Sequence, residues 1–154
     1  MGLFDNFKNL FNDQKLDVSA RFETLREAIT GTMSSFYLAR ERKTGKLFGL
    51  KILDPVKTIP FESRFKGLNK PPEGKVAMSM KHPRIVETYE YGQTTRNEQF
   101  IVMEYVEGTG MSQMLYMKDK ILDGKRLALI REMAESLEYV HKQGYIHRDV
   151  CPRN

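Results

Sequence analysis

Five short stretches rich in apolar, aromatic and β-branched residues constrain the fold of this chain more than any other feature. Each stretch is bounded by turn-forming residues, as is typical of β-strands. We predict strands at Phe22–Ile29, Ser35–Arg42, Leu47–Leu53, Ile85–Gly92 and Gln99–Val106. A tight turn joins the second strand to the third and a polar turn joins the last two, so the first two thirds of the chain are predicted to form a sheet.

Helical patterns follow the third strand and the fifth. Residues Asp54–Pro72 contain four prolines and are predicted to be a loop. A helix over Pro72–Lys81 can begin on its proline, because the missing N–H is not needed in the first turn. The clearest helix is Gly124–Lys142, which should end at the Gln143-Gly144 pair. Its apolar face consists of Leu127, Ile130, Ala134, Leu137 and His141.

The beginning of the chain has an amphipathic pattern of its own. Apolar side chains in Gly2–Asp13 recur at helical spacing, and the opposite face is polar but nearly neutral. A helix that lies on a membrane surface usually has a basic face. We therefore favour docking of this segment against protein, and contact of residues 2–13 with a membrane surface is the weaker alternative. Residues 1–20 are predicted to be this segment followed by a linker.

The net charge of +5 is concentrated in one region. Residues 57–84 carry seven Lys or Arg against two Glu, but they include only two aromatic residues and no nucleic-acid-binding motif. We interpret the run as a solvated surface and expect no nucleic-acid partner. No apolar run approaches the ~20 residues that cross a bilayer. The single cysteine excludes a disulfide framework and suits the cytoplasmic location that we predict, while the oligomeric state stays open.

The last eight residues carry the clearest chemical pattern. They are His147-Arg148-Asp149-Val150-Cys151-Pro152-Arg153-Asn154, which matches the H-R-D-x-x-x-x-N pattern of a protein-kinase catalytic loop. In such a loop an aspartate accepts or orients the proton of an attacking hydroxyl, and an asparagine five residues later holds a metal ion on the phosphates. Asp149 and Asn154 have this spacing.

Four other elements precede this loop in a matching order. Lys51 lies near the end of the third strand, in a segment similar to the one whose lysine binds the α- and β-phosphates. Glu73 begins the predicted helix, at a position suited to pairing with that lysine. Val102–Gly108 looks like the hinge between kinase lobes, and Leu137–His147 looks like the usual approach to the catalytic loop.

Together these motifs resemble the eukaryotic-like Ser/Thr protein kinase superfamily over Phe22 to Asn154, and we expect a bacterial member. The resemblance implies an α+β fold. Residues 21–106 would form the hinge and a small lobe with a five-stranded antiparallel sheet plus one helix. Residues 107–154 would begin the large lobe, with its first helices and its catalytic loop.

The resemblance also implies ATP and Mg²⁺ as cofactors and a protein as the substrate, with Ser/Thr hydroxyls favoured over Tyr. Asp149 would position the hydroxyl, Lys51 would orient the phosphates and Asn154 would hold the metal ion. The residues implied in nucleotide binding are Gly31, Phe36, Gly49, Lys51, Glu73, the gatekeeper Met103, and the main chain of Glu104 and Val106.

Departures from the family pattern affect the chemistry. The loop over the phosphates, Ile29–Phe36, retains only Gly31 of the expected glycines, so it should be stiffer and lie farther from ATP. Gly49 stands where alanine is usual, a change that should be tolerated. Cys151 takes the place of the usual lysine of the catalytic loop, and our hypothesis is that Arg153 supplies the missing cation.

These departures leave two functions open. One is an active protein kinase, and the alternative is a pseudokinase that binds ATP as a scaffold or sensor. An Asp-Phe-Gly segment should follow Asn154, and none occurs within the 154 residues. We therefore expect an incomplete kinase domain that is inactive by itself, with low stability and an exposed apolar face on Gly124–Lys142.

Overall fold

The computed structural model describes residues 15–30, 33–63, 67 and 71–153, without the side chains of 27–30, 61 and 62. The amphipathic segment Gly2–Asp13, Gly31 and Asn154 lie outside the described residues. The chain divides into two compact units, Met1–Ser79 with Glu87–Tyr105 and Met80–Val86 with Val106–Asn154. Met80–Val86 thus belongs to the second unit although it interrupts the first in sequence.

The first unit is built on one five-stranded antiparallel sheet, which confirms the predicted sheet. Its strands are β1 Phe22–Thr30, β2 Ser34–Glu41, β3 Leu47–Leu53, β4 Thr88–Gln93 and β5 Gln99–Met103. The order across the sheet is β1-β2-β3-β5-β4. The third strand is therefore central, with an antiparallel neighbour on each side.

The last two strands are shorter than predicted. β4 begins at Thr88 rather than Ile85, because the Ile85 N–H closes a turn by donating to the His82 carbonyl at 3.0 Å. β5 ends at Met103 rather than Val106, since Met103 pairs with the first residue of β4.

One cluster of buried apolar side chains lies against one face of this sheet. Alternate residues of a strand point to the same face, and in β3 these are Phe48 and Leu50. The full cluster is Phe22, Ala39, Phe48, Leu50, Phe100 and Val102. The rings of Phe22 and Phe48 pack edge to face with centroids 6.2 Å apart, the arrangement that their quadrupoles favour.

The linker predicted before the first strand instead packs on the sheet. Leu16 forms an isolated parallel bridge with Thr94. A short helix follows, α1 (Val18–Arg21), and the side chain of Asp17 caps it. Leu16 and Val18 contact the core cluster, so burial of two apolar side chains is what attaches this segment.

The region Asp54–Pro72, predicted to be a loop, contains a helix, α2 (Pro55–Ser63). The Asp54 side chain caps it by accepting a hydrogen bond from the Val56 N–H at 2.9 Å. A proline at the first helical position costs no hydrogen bond, and Pro60 is accommodated further along. The loop prediction is wrong here because it takes every proline as a helix breaker.

Both helices that the sequence predicts are present among the remaining helices. α3 (Glu73–Ser79) confirms the helix between the third and fourth strands. The second unit contains α4 (Met111–Tyr116), a 3₁₀ turn at Lys120–Leu122, and α5 (Arg126–Lys142), which confirms the long helix. The two shorter elements span too few residues for a periodicity to appear. In the ranges that the structure describes, no helix is long and apolar enough to cross a membrane.

The end of α5 is a Schellman motif, as the Gln143-Gly144 pair predicts. Gly144 has a φ of 83°, in the left-handed region that favours glycine. Its N–H donates to the His141 carbonyl at 2.9 Å, and the Tyr145 N–H donates to the Val140 carbonyl at 3.2 Å. The chain therefore turns sharply just before the predicted catalytic loop.

Much of the apolar face predicted for α5 is exposed. Leu127 and Ile130 are 74% and 59% exposed, whereas Leu137 is partly buried. Exposed apolar side chains of this kind are unfavourable in water.

Arg21 joins α1 to two strands through charged hydrogen bonds. Its Nε donates to Glu41 Oε1 at 2.9 Å, and its Nη1 donates to Glu90 Oε2 at 2.7 Å. Burial alone would raise the pKa of Glu41, but hydrogen bonds from Thr44 and Arg21 outweigh burial and hold that pKa below its ordinary value of 4.5. Ionised Glu41 therefore adds stability above pH 4.5 that is lost as the pH falls through its lowered pKa.

Replacing Arg21 with Met should lower the free energy of unfolding by about 2 kcal/mol at neutral pH, because Glu41 then stays buried without its cation. The difference from wild type should shrink as the pH falls below 4.5, since protonation removes the buried charge. Urea unfolding of both proteins between neutral pH and about pH 3 measures this difference.

Arg40→Met is the matched control, because Arg40 pairs with Glu23 at 3.3 Å and both side chains are 47% exposed. It should change the free energy of unfolding by less than about 0.5 kcal/mol. A difference for Arg21→Met that stays constant with pH would contradict the role given to Glu41.

Candidate active site

The first unit brings Lys51 and Glu73 together, although they are far apart in sequence. Lys51 lies on β3 and Glu73 is the first residue of α3. Lys51 Nζ donates to Glu73 Oε1 at 2.5 Å. An ammonium group has three N–H donors, so Lys51 can hold this carboxylate and also donate to a phosphate. This donor set fits the phosphates of a nucleotide.

A glycine sets the distance between α3 and the sheet. Gly74, which follows Glu73, is the buried residue of the helix. A Cβ at this position would lie 2.7 Å from Tyr91 Cγ on β4, and closer still to Tyr91 Cβ. Those atoms lie next to the backbone and cannot swing away. The absence of a side chain therefore lets α3 approach β4 and carry Glu73 to Lys51.

Gly49, Phe36 and Met103 are neighbours on three adjacent strands. Gly49 pairs with Met103 across β3 and β5, while Phe36 pairs with Lys51 across β2 and β3. A Cβ on Gly49 would lie 2.7 Å from Phe36 Cζ and 3.0 Å from Met103 Cγ. The phenyl ring thus occupies the space that a methyl group at position 49 would need.

The predicted hinge follows β5. The Glu104 N–H donates to the Glu87 carbonyl at 2.8 Å within the first unit. Val106 begins the main part of the second unit, and its N–H has no hydrogen-bond partner among residues 15–30, 33–63, 67 and 71–153. A free main-chain donor at this position fits the base-binding role that the resemblance implies.

The predicted catalytic loop lies in the second unit with a strained backbone. Arg148 has a φ of 65°, a conformation that is uncommon for a residue with a side chain. The Asp149 N–H donates to His147 Nδ1 at 3.3 Å. The Pro152 carbonyl accepts from the Ser112 N–H of α4 at 2.9 Å. These contacts fix the loop around Asp149, whose carboxylate is exposed.

Within the same loop, Arg153 is exposed and Cys151 is partly buried. Among the described residues, no three His, Cys, Asp or Glu side chains are grouped as a metal site. The metal ligand that the resemblance implies, Asn154, lies outside them. Mg²⁺ commonly needs only one or two protein ligands besides phosphate oxygens, so these residues are compatible with it.

The segment Met80–Val86 is held to α5 by contacts that the sequence patterns did not indicate. The Tyr139 hydroxyl accepts a hydrogen bond from the Lys81 N–H at 2.9 Å, and its ring lies 5.1 Å from the His82 ring. Arg84 forms ion pairs with Glu132 at 3.2 Å and Glu135 at 3.4 Å. The spacing of the two glutamates on one helix face is the signal that was available in the sequence.

The family model for the protein kinase domain matches residues 22–154. The chain belongs to the protein kinase family. It is 30% identical over 151 residues to the serine/threonine-protein kinase cds1 of Schizosaccharomyces pombe, covering 97% of this chain and 32% of that protein. It is 31% identical over 142 residues to PknB of Mycolicibacterium smegmatis, covering 89% of this chain and 22% of that kinase.

Solved protein-kinase structures are similar to this chain. The PknI kinase domain of Mycobacterium tuberculosis matches with a TM-score of 0.66 and 29% identity, over 88% of this chain and 54% of that one. Rad53 in complex with AMP-PNP matches with a TM-score of 0.68 and 26% identity, over 89% of this chain and 34% of that one. The kinase chain thus spans about half of the PknI domain and a third or less of these two curated relatives.

Substituting Gly74 tests how Glu73 is positioned. Gly→Ala inside a helix usually stabilises it by about 1 kcal/mol, but Gly74→Ala should instead destabilise the kinase chain by about 2 kcal/mol. The reason is the overlap with Tyr91. Thermal or urea unfolding gives the sign directly.

Lys75→Ala, in the same helix and exposed, is the matched control and should stay within about 0.5 kcal/mol of wild type. Stabilisation by Gly74→Ala would show that α3 does not depend on this close approach.

Proposed function

We propose that this protein is an ATP-dependent protein kinase that phosphorylates Ser or Thr hydroxyls of proteins. The observation that supports it most is the Lys51–Glu73 ion pair, formed between β3 and α3. Further support comes from the other kinase-like motifs, which occur in the expected order along the sequence. The position of α3 that brings Glu73 to Lys51 depends on close packing at Gly74.

The proposed roles of the kinase's own residues follow from their chemistry. ATP, bound with Mg²⁺, supplies the phosphoryl group. Lys51 donates to the α- and β-phosphates and Glu73 keeps the ammonium in place. Asp149 accepts a hydrogen bond from the substrate hydroxyl and aligns its oxygen for attack. Asn154 would hold the Mg²⁺ ion, which would neutralise charge on the phosphates.

Other residues of the proposed nucleotide site contact the base and the phosphates. Met103 limits the depth of the base site, and the main chain of Glu104 and Val106 binds the edge of adenine. Gly31, which precedes β2 in the sequence, contacts the phosphates. Phe36 and Gly49 contact the base on the face of the sheet that carries Lys51.

Arg153 takes the electrostatic role that a lysine has in most Ser/Thr kinases. Cys151 carries no positive charge, and Arg153 lies two residues farther along the same exposed loop. Phosphoryl transfer depends mainly on positioning and on stabilising negative charge. A guanidinium retains its charge at all physiological pH values, so it is suited to this role.

The second candidate function is a nucleotide-binding pseudokinase. It is favoured by Cys151 and by a phosphate loop that retains one of the expected glycines. In either case we propose that the 154 residues alone bind nucleotide without transferring phosphate, because they contain no Asp-Phe-Gly.

Nucleotide binding by the 154-residue chain tests the proposed site. Lys51→Met should weaken Mg·ADP about thirtyfold in a calorimetric titration, since one charge-assisted contact to phosphate is lost. Glu73→Gln should weaken it less, because the lysine remains. Lys57→Met removes an exposed lysine that pairs with Asp54 and should leave the affinity unchanged. Equal affinity for wild type and Lys51→Met would reject this phosphate site.

Phosphorylation by the full-length protein tests Arg153. Arg153→Ala should lower kcat about a hundredfold or more while the KM for ATP changes little, because the cation acts on charge that develops during transfer. Arg153→Lys should recover part of the rate. A wild-type rate for Arg153→Ala would exclude this role, and a full-length protein that binds ATP without phosphorylating any protein would favour the pseudokinase.

A further inference from the structure

Phe36 and Gly49 fit together as a size-matched pair. In an antiparallel sheet, diagonal neighbours on adjacent strands are within reach of aromatic side chains. Phe36 is diagonal to Gly49, because it pairs with Lys51, two residues farther along β3. Its ring leans across so that Cζ and Cε2 lie 2.7 and 3.1 Å from where a Gly49 Cβ would be.

The ring is on the same face as Lys51. Alternate residues of β3 share a face, so Gly49 and Lys51 point the same way, and Phe36 and Met103 project from the two neighbouring strands. Phe36 and Met103 are both partly exposed. A nucleotide whose phosphates reach Lys51 therefore meets an aromatic ring where the base lies against the sheet.

We propose that Phe36 determines how this protein holds the nucleotide base, and that it does so only because residue 49 is glycine. This inference rests on the proposed function. The ring, contributed by β2, replaces a methyl group that β3 would otherwise supply. It offers the base an aromatic surface and fills the gap between β2 and Met103.

The direction of the steric effect follows from the geometry. An alanine at position 49 would overlap the far end of the Phe36 ring. The sheet lies behind the ring, so the ring would turn outward, into the space that the base needs. A smaller residue at position 36 would leave room for the methyl group, so the two substitutions should compensate each other.

Four proteins form the test: wild type, Gly49→Ala, Phe36→Val and the double variant, each as the 154-residue chain titrated with Mg·ADP. Gly49→Ala should weaken binding about tenfold or more, through overpacking. Phe36→Val should weaken it about fivefold, through loss of the aromatic surface. The double variant should bind within about threefold of wild type, far from the product of the single effects.

Gly110→Ala is the control for a glycine substitution. No atom lies within 4 Å of the position that its Cβ would take, so this change should alter ADP affinity less than about twofold. Thermal unfolding of the same four proteins without nucleotide gives a second measurement, in which Phe36→Val should restore the midpoint lost in Gly49→Ala.

The outcomes separate this inference from the proposed function. Compensation in both measurements supports the pair. If the chain binds ADP and the double variant shows the product of the two single effects on affinity, the inference is overturned and the proposed nucleotide site stays intact. A wild-type chain that binds no ADP, while the midpoints still compensate, rejects the proposed site and reduces the pair to a packing contact.

Discussion

The central strand β3 places core side chains on one face and site residues on the other, and the rest of the structure depends on this constraint. Phe48 and Leu50 point into the core, while Gly49 and Lys51 point to the opposite face. A register slip of one residue would bury the Lys51 ammonium and expose both core side chains. The antiparallel neighbours on either side of β3 prevent that slip, and so the core and the candidate phosphate site are fixed by the same hydrogen bonds.

Sequence patterns predicted the elements whose signals are local. Five stretches rich in apolar, aromatic and β-branched residues, each bounded by turn-forming residues, predicted the strands. Spacing within eight residues predicted Asp149 and Asn154 as a pair. The helix α2 was missed because Pro55 lies at the first helical position, where it costs no hydrogen bond, and because the helix also accommodates Pro60. The attachment of Leu16 was missed because two apolar residues are too few to form a period.

Other features of the site depend on register, which one sequence does not reveal. The presence of Phe36 and Gly49 was visible, but their contact depends on how β2 pairs with β3. Likewise, Gly74 is visible in the sequence, but its contact with Tyr91 depends on how α3 packs against β4. In both cases an aromatic side chain lies close to a glycine, and the two residues are brought together by the fold rather than by proximity in the chain.

The attachment of residues 15–21 has a consequence for the order in which the protein can form. Lys15 bonds to Asn97, 82 positions later, and Leu16 bridges to Thr94. During synthesis on the ribosome, the start of the described chain therefore waits for the turn between the last two strands to emerge. Until then Leu16 and Val18 cannot cover the core face. These contacts between residues far apart in sequence raise the contact order of the protein. They also leave an interval in which the core face of the nascent chain is open to aggregation or to chaperone binding.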